Sequence, residues 1–411
     1  MINRKGGYYM GKWITTILTV MLVTFSIIPS VGAAEETYEE LSMDKKRELL
    51  TEIALEEGIP PEILKAVADQ ESQMMQFKNG KPFISDDNGI GIMQVTNTHP
   101  SVDIDKKRLK TDTAYNIKIG AKVLSQKWEL MGEKIPSIND SNRMMLEHWY
   151  FPLMAYNGAS ETNDPQRQEE TYQEKVYQII SDDSLVSVFP MPRFPKDFFG
   201  YDDGKLKFDE LTSQTWENGN TISTQMFQQG DEVYVMNSHD ADIYDYGSLR
   251  ETRDSTPTKL AFHTELEIVD GPYFEDKIND NHHMDYKVKG PNGISGYISS
   301  SNLRSMDMKQ TNFTDWTDNS STVEPSKTWN INFNTKLNTG SINEKNIYIV
   351  NENGVGVRSE VTLSEDGKSL TMNPNADLES SMNYTLYIEG IVSSTGGKMD
   401  TPISKSFTVS N

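Results

Sequence analysis

The sequence contains no cysteine among its 411 residues. Disulfide bonds, thiolate metal sites and a cysteine nucleophile are therefore excluded. A lipid-modified cysteine at a signal-peptide cleavage site is excluded as well, so this chain cannot be a lipoprotein.

Basic residues are scarce. Lysine and arginine number 39 against 61 aspartates and glutamates, which gives a formal net charge of −22. The chain also lacks any run of five or more basic residues. A polyanion would be repelled over most of such a surface, so nucleic acid is not an expected partner. The acidity itself indicates solubility rather than a specific function.

Long apolar runs are limited to one, which lies near the N-terminus at residues 13–31. Arg4, Lys5 and Lys12 precede it, and small residues at 31–33 provide a cleavage site, so residues 1–33 are predicted to be a secretory signal peptide. The alternative is an uncleaved membrane anchor, because the run is nearly long enough to span a bilayer. With no second run, the processed protein is expected to be secreted, extracellular and without a stable membrane anchor.

One carboxylate occupies an unusual position for a helix. Pro60 and Pro61 suit a helix start, and Glu71 follows Leu64 by seven residues and Val67 by four. A regular helix would place the Glu71 carboxyl on the same face as these apolar side chains. Partial desolvation would raise its pKa and leave a general acid near neutral pH. The alternative is that the helix frays before Glu71 and the side chain reaches solvent.

Four short motifs accompany this carboxylate: Glu-Ser at 71–72, Gly-x-Met-Gln at 91–94, Asn-Ile-x-x-Gly at 116–120 and Ala-Tyr-Asn at 155–157. Together they resemble the catalytic core of the soluble lytic transglycosylase family, whose fold is lysozyme-like. The departures are a loop after Glu71 that is longer than usual, Gly89 where the family often has alanine, and Pro152 before the last motif.

The resemblance implies a role for Glu71 as general acid and then general base on peptidoglycan glycan strands. In that family the 2-acetamido group of N-acetylmuramic acid assists cleavage, and the product is a 1,6-anhydro sugar formed without water. By position, the resemblance implies these substrate-binding residues: Ser72, Met93, Gln94, Asn97, Tyr156 and Asn157. Gln94 would bind sugar or peptide, and Tyr156 would orient Glu71. No cofactor or metal ion is implied.

Two other functions remain open. A lysozyme-type muramidase of the same fold would need a second carboxylate, which Asp86 or Asp87 could supply. These aspartates precede Asn88-Gly89, a turn sequence, and loop aspartates commonly bond their own backbone. A non-catalytic protein that binds the cell wall is the third possibility, although binding alone has no use for Glu71 on an apolar face.

The organisation expected around this site is a mainly α, lysozyme-like domain over residues 34–182. A packing helix between Ser42 and Gly58 and a last helix over 170–180 belong to it. Glu147 and His148 fall on the polar side of a helical pattern and are expected at the surface. Residues 183–228 are expected to be a linker or irregular region, since helical periodicity stops there.

Short alternating runs then predict two all-β domains. Residues 229–306 resemble a bacterial SH3-like barrel, with a turn at 290–293 followed by Gly-Tyr-Ile. Asp240, Asp242 and Asp245 within it lack the register of a calcium loop, and the pair His282-His283 is not predicted to bind metal either.

After a linker at 307–322, residues 323–411 show regular alternation that predicts a β-sandwich. This part resembles the bacterial Ig-like domains of surface-layer and wall proteins. The whole chain is thus expected to be multidomain and associated with the cell wall, with cell-wall polymers as partners of the β domains.

Overall fold

The structure is a computed structural model, and the chain divides into two compact units, residues 1–37 and 38–411. It describes residues 36–96, 102–168, 170–188, 194–195, 197–208, 211–216, 220–236, 247–252, 258–274, 281–316, 321–343, 345–399 and 401–411. The predicted signal peptide and the three aspartates at 240–245 lie outside these residues. Within them, no helix is both long and apolar enough to cross a membrane.

Among the described residues, six α-helices form the first part of the larger unit. They are α1 (Met43–Glu57), α2 (Pro61–Ser72), α3 (Lys106–Thr111), α4 (Thr113–Trp128), α5 (Tyr150–Asn157) and α6 (Tyr172–Asp183). The predicted ends of α1 are confirmed, because the Ser42 side chain accepts from the Lys45 N–H and Gly58 takes a left-handed φ of 65°. A small hairpin, β1 (Phe77–Lys78) with β2 (Lys81–Pro82), follows α2.

Helix α2 lies at the centre of the helical core. Pro61 occupies its first turn, where a missing N–H costs no hydrogen bond. Ile63, Leu64 and Val67 are fully buried against the neighbouring helices, of which α1 and α6 contact α2 most extensively. The helix continues to Ser72, so it does not fray before Glu71.

The surface position expected for Glu147 and His148 is wrong, because both side chains are fully buried. The Glu147 carboxylate accepts hydrogen bonds from the backbone N–H and the hydroxyl of Thr221, at 2.8 and 2.5 Å. Pro152 does not interrupt helix α5. It lies in the first turn of α5, after a 3₁₀ turn at Glu147–Trp149, where its missing N–H is tolerated.

Part of the stretch expected to be a linker, residues 183–228, is packed structure. It forms a hairpin of β3 (Phe199–Asp202) with β4 (Lys205–Phe208). Phe208 meets Phe151 of α5 edge-on at 5.8 Å between ring centroids, and Trp216 meets Tyr150 at 6.2 Å. These aromatic contacts extend the hydrophobic core of the helical part.

Seven described strands between residues 232 and 305 form one antiparallel sheet. Its strands are β5 (Glu232–Val235), β6 (Gly247–Arg250), β7 (Thr258–Leu260), β8 (Glu265–Phe274), β9 (Met284–Lys289), β10 (Ser295–Ser299) and β11 (Leu303–Ser305). The strand order is β11-β5-β8-β9-β10-β6-β7. The described strands β11 and β7 end this order without pairing to each other, so the expected SH3-like barrel does not close.

The last part consists of two sheets with a shared core. Its strands are β12 (Thr314–Asp315), β13 (Thr322–Val323), β14 (Trp329–Asn332), β15 (Ile347–Asn351), β16 (Gly356–Val357), β17 (Ser359–Leu363), β18 (Ser369–Pro374), β19 (Asn383–Ile388) and β20 (Ile403–Val409). Strands β14, β18 and β17 make one sheet and the other six make the second. Trp329 and Leu370 from the first sheet pack with Leu386 and Phe407 from the second, as a sandwich requires.

Buried charges on α2 connect the helical part to residues 221–225, which we call the docking segment. Glu62 accepts from the Ser223 hydroxyl at 2.7 Å and from the Thr224 N–H at 2.8 Å. Lys65 donates to Gln225 Oε1 at 2.7 Å and to the His282 carbonyl at 3.0 Å. Both charged side chains are fully buried, so these contacts supply the partners that burial requires.

Candidate active site

Glu71 lies in the last turn of α2 and is partly buried. The hydroxyl of Tyr172 donates to its Oε1 atom at 2.7 Å. Burial raises the pKa of Glu71 to about 7, against a lowering by the Tyr172 hydrogen bond and a smaller raising by the negative charge of Asp87. A substantial fraction of this carboxyl is therefore neutral near pH 7 and able to donate a proton.

Tyr172 is a candidate site residue that sequence reasoning missed, since its place in an amphipathic pattern indicated only packing. It is the first residue of α6, whose start is held by a capping box between Thr171 and Glu174. The packing of α6 against α2 brings its hydroxyl to Glu71. No short sequence pattern links the two positions, which are 101 residues apart.

Tyr156 was expected to orient Glu71, but its hydroxyl donates to the Met93 carbonyl at 2.8 Å. It lies close enough to Glu71 for that charge to raise its pKa further, after burial as the main cause. The hydrogen bond to Glu71 thus comes from Tyr172, while Tyr156 ties the loop around Met93 to α5.

The loop at residues 89–95 is held by α4. The Asn116 side chain accepts from the Met93 N–H at 3.0 Å and donates to the Ile90 carbonyl at 2.8 Å. A Cβ atom on Gly120 would lie 2.5 Å from Met93 Cβ, and one on Gly91 would lie 2.2 Å from an oxygen of Gln76. Only glycine fits at these two positions, where the backbone lies close to a neighbouring side chain, and this explains why the motifs have glycine at 91 and 120.

Two of the predicted substrate-binding side chains are buried. Ser72 is 6% exposed, and its hydroxyl donates to the Ile92 carbonyl at 2.8 Å and accepts from the Met75 N–H at 2.9 Å. The Met93 side chain is fully buried. In this conformation both residues fix the loop beside Glu71 and do not offer their side chains to a ligand.

The remaining predicted substrate-binding residues differ in exposure. Gln94 is partly exposed, and its amide donates to the Gly91 carbonyl at 2.7 Å. Asn157 is exposed, and its side-chain oxygen accepts from Asn163 at 3.0 Å. Asn97 lies outside the described residues. Substrate contacts by these side chains stay predictions.

A second carboxylate is present near the site. Asp86 and Asp87 are both exposed, and Asp87 accepts a hydrogen bond from the Ser85 hydroxyl, which lowers its pKa. Asp87 therefore remains charged when Glu71 is neutral. Glu71 is thus a protonatable carboxyl, and the charge of an ionised, exposed carboxylate, Asp87, acts on it.

Comparison with known families assigns two parts of the chain. Residues 48–178 match the family model described as Transglycosylase SLT domain, and residues 310–409 match Bacterial Ig-like domain. The first match supports, at the level of the family, a lytic transglycosylase-type function on peptidoglycan. The second confirms the Ig-like expectation for the last two-sheet part.

Solved structures of surface-layer proteins are similar to about a fifth of the chain. Among them, the structure of surface layer protein SbsC, domains 1–6, is 17% identical with a TM-score of 0.19, and the match covers 22% of this chain and 13% of that one. The N-terminal part of the S-layer protein SbsC is 18% identical with the same TM-score and covers 22% of each chain. The search of curated proteins returned no match.

Proposed function

We propose that this protein is a secreted lytic transglycosylase that cleaves the bond between N-acetylmuramic acid and N-acetylglucosamine in peptidoglycan. The observation that carries the proposal is the geometry of Glu71, which is partly buried and hydrogen-bonded by Tyr172 within the matched SLT domain. A neutral carboxyl at this place supplies the proton that the leaving sugar oxygen needs.

In the first step, Glu71 protonates the glycosidic oxygen and the bond from that oxygen to C1 of N-acetylmuramic acid breaks. Since Tyr172 donates to Oε1, the proton of the neutral acid is assigned to Oε2. The 2-acetamido group of the same sugar supports the positive charge that develops at C1, as the resemblance implies. Glu71 is then ionised, and the Tyr172 hydrogen bond stabilises its charge.

In the second step, ionised Glu71 removes the proton from the 6-hydroxyl of N-acetylmuramic acid. The hydroxyl oxygen forms a bond to C1 and closes the 1,6-anhydro ring. The proton returns to Glu71, so the acid is restored and no water is consumed. One carboxyl performs both transfers, which is why a second one is not required.

The surrounding residues support this chemistry by position. Tyr156 and Asn116 hold the loop at 89–95 against α5 and α4. Gln94 is partly exposed and Asn157 is exposed, and both are proposed to bind sugar or stem peptide. The β-rich parts are proposed to contact cell-wall polymers, and residues 1–33 are proposed to direct export.

Hydrolysis is the second candidate, because the charge of Asp87 acts on Glu71. In a muramidase, Glu71 would donate the proton and Asp87 would activate a water or stabilise the sugar cation. The product would then be a reducing sugar instead of an anhydro sugar. The exposed position of Asp87 in a turn favours the transglycosylase mechanism.

The deciding experiment is mass spectrometry of fragments released from purified peptidoglycan by residues 34–411, with Glu71→Gln in parallel. Anhydro-muropeptides from the parent and none from the variant are expected. Reducing-end products would replace the proposal by hydrolysis. Binding to peptidoglycan without release by the folded parent would instead indicate a wall-binding protein.

A further inference from the structure

Three possible metal ligands from distant parts of the chain meet beside the catalytic helix. Asp69 of α2, Asp183 of α6 and His282 before β9 each offer one ligand atom, and these atoms all lie within 4.8 Å of one another. Ligands bound to one ion at about 2.1 Å lie roughly 3.4 Å apart in a tetrahedral site. The three groups therefore need only small side-chain shifts to share a cation.

His282 provides a second and independent observation. Its side chain is 3% exposed, and its Nδ1 atom has no hydrogen-bond partner among the described residues. A buried imidazole nitrogen without a partner costs free energy, because its contact with water is lost and not replaced. Metal coordination satisfies such an atom, since neutral imidazole is a common metal ligand.

The two helices that supply the carboxylates also favour a cation here. Asp183 is the last residue of α6, and Asp69 lies in the last turn of α2. Neither helix has a basic residue in its last turn. The C-terminal end of a helix carries partial negative charge, so acidic side chains are unfavourable there unless a positive charge compensates.

The positive charge of Arg47 on α1 acts on both Asp69 and His282. The Arg47 side chain is 5% exposed, and its charge lowers the pKa of Asp69, although burial raises that pKa by more. Lys65 also acts on His282. A bound cation would therefore have to compete with Arg47 for the carboxylates, and this competition makes the proposal testable from two directions.

We propose that Asp69, Asp183 and His282 form a binding site for a divalent transition metal, with Zn²⁺ as the preferred ion. A set of two carboxylate oxygens and one imidazole nitrogen suits Zn²⁺ better than Ca²⁺, which takes oxygen ligands. Three protein ligands leave one position for water in a tetrahedral site.

The proposed metal site lies where it would link two helices to the chain before β9. Asp69 is two residues before Glu71 on α2. The backbone carbonyl of His282 already accepts a hydrogen bond from Lys65 of the same helix. A metal ion there would join the C-terminal ends of α2 and α6, the first of which carries Glu71, to the chain that leads into the seven-stranded sheet.

The test measures zinc bound per chain after equilibrium dialysis of residues 34–411, with the thermal unfolding midpoint in zinc and in chelator. The parent is expected to hold one Zn²⁺ and to unfold at a higher temperature with zinc, because a ligand that binds only the folded state stabilises it. Calcium is expected to give neither effect.

Four variants locate the ion. His282→Gln and Asp69→Asn are expected to lose the zinc, and Asp69→Asn preserves shape if the buried His282 variant does not fold. His283→Gln is the matched control, since His283 is also buried and neighbours the site without belonging to the cluster. Arg47→Met is expected to bind zinc more tightly, because it removes the competing charge.

Two results would overturn the proposal. Zinc retained equally by the parent, Asp69→Asn and His282→Gln would show that it binds elsewhere on this acidic chain. Zinc bound by neither the parent nor Arg47→Met would show that the three groups form a metal-free contact compensated within the fold.

Discussion

The two ends of helix α2 each carry a glutamate, and the contrast between them separates structure from chemistry. Glu62 at the start is fully buried and accepts from Ser223 and Thr224 through three hydrogen bonds. Glu71 at the end is partly buried, and one hydrogen bond to its carboxylate, from Tyr172, is found among the described residues.

The difference is a matter of how burial is compensated. Several donors around Glu62 replace the water that its charged form loses, so the buried carboxylate serves to fix the docking segment. Around Glu71, desolvation outweighs the single donor, and the pKa rises to about 7. A carboxyl that exchanges its proton near neutral pH is suited to catalysis and poorly suited to anchoring.

Replacing Glu71 by Gln gives the largest expected effect on activity. Because the proposed mechanism uses this one residue as acid and then as base, release of muropeptides is expected to fall by about a thousandfold or more. The free energy of unfolding in urea at pH 8 is expected to be no lower, since the neutral amide avoids a partly desolvated charge. Activity within tenfold of the parent would remove Glu71 from the mechanism.

Replacing Glu62 by Ala is expected to produce the opposite result. The Thr224 N–H loses its buried acceptor and Lys65 loses a nearby negative charge, so we expect a loss of about 3 kcal/mol in the free energy of unfolding. Turnover per folded molecule is expected to stay within about threefold. Ser223→Ala removes one donor and is expected to cost about 1 kcal/mol. Loss of turnover in folded Glu62→Ala would show that the two ends are coupled.

The pH dependence of the parent follows from the raised pKa of Glu71. In the proposed mechanism the protonated form is the proton donor, so kcat/KM is expected to fall about tenfold per pH unit above a midpoint of about 7. The profile is measured in chelator, because a cation at Asp69 would change the local charge. An alkaline limb centred near 4.5, the ordinary value for Glu, would contradict the desolvation of Glu71.

Replacing Tyr172 by Phe removes the donor that lowers the pKa of Glu71. The alkaline limb is expected to move to higher pH, and activity at pH 6 to fall by about tenfold, the equivalent of one hydrogen bond. Tyr177→Phe is the matched control on α6, because the Tyr177 hydroxyl donates to the Leu146 carbonyl instead. If the alkaline limb of the pH profile moves equally in both variants, the shift results from the packing of α6 and not from the Tyr172 hydrogen bond.

Replacing Asp87 by Asn has the smallest expected effect under the transglycosylase proposal. Its negative charge raises the pKa of Glu71, so the alkaline limb is expected to move slightly to lower pH with activity within about threefold. Asp86→Asn is the control, since Asp86 is not among the groups that act on Glu71. A loss of about a hundredfold in Asp87→Asn alone would favour hydrolysis.

Local features of the helical part could be predicted because they depend on neighbours in the sequence. Ser42 and Gly58 delimit α1 through cap geometry, and the spacing of Glu71 from Val67 determines which face of α2 carries it. Asn116 and Gly120 belong to the Asn-Ile-x-x-Gly motif, and both contact the loop at 89–95.

Features that depend on distant residues were missed or mistaken. Glu147 has a polar pattern typical of a surface, but Thr221 covers and satisfies it. The aromatic residues at 198–216 have no regular period, yet they pack on α5. The alternating runs at 232–305 predicted strands correctly, but their pairing produces an open sheet where a barrel was expected.

The sequence by itself determined the ends of α1, the face of α2 that carries Glu71 and the glycines that the loop at 89–95 requires, because caps, periodicity and backbone freedom act over a few residues. Only the tertiary structure decided which tyrosine bonds Glu71, which charges are buried with partners, and that Asp69, Asp183 and His282 converge. Burial and charge depend on groups brought together by packing, and their separation along the chain carries no local signal.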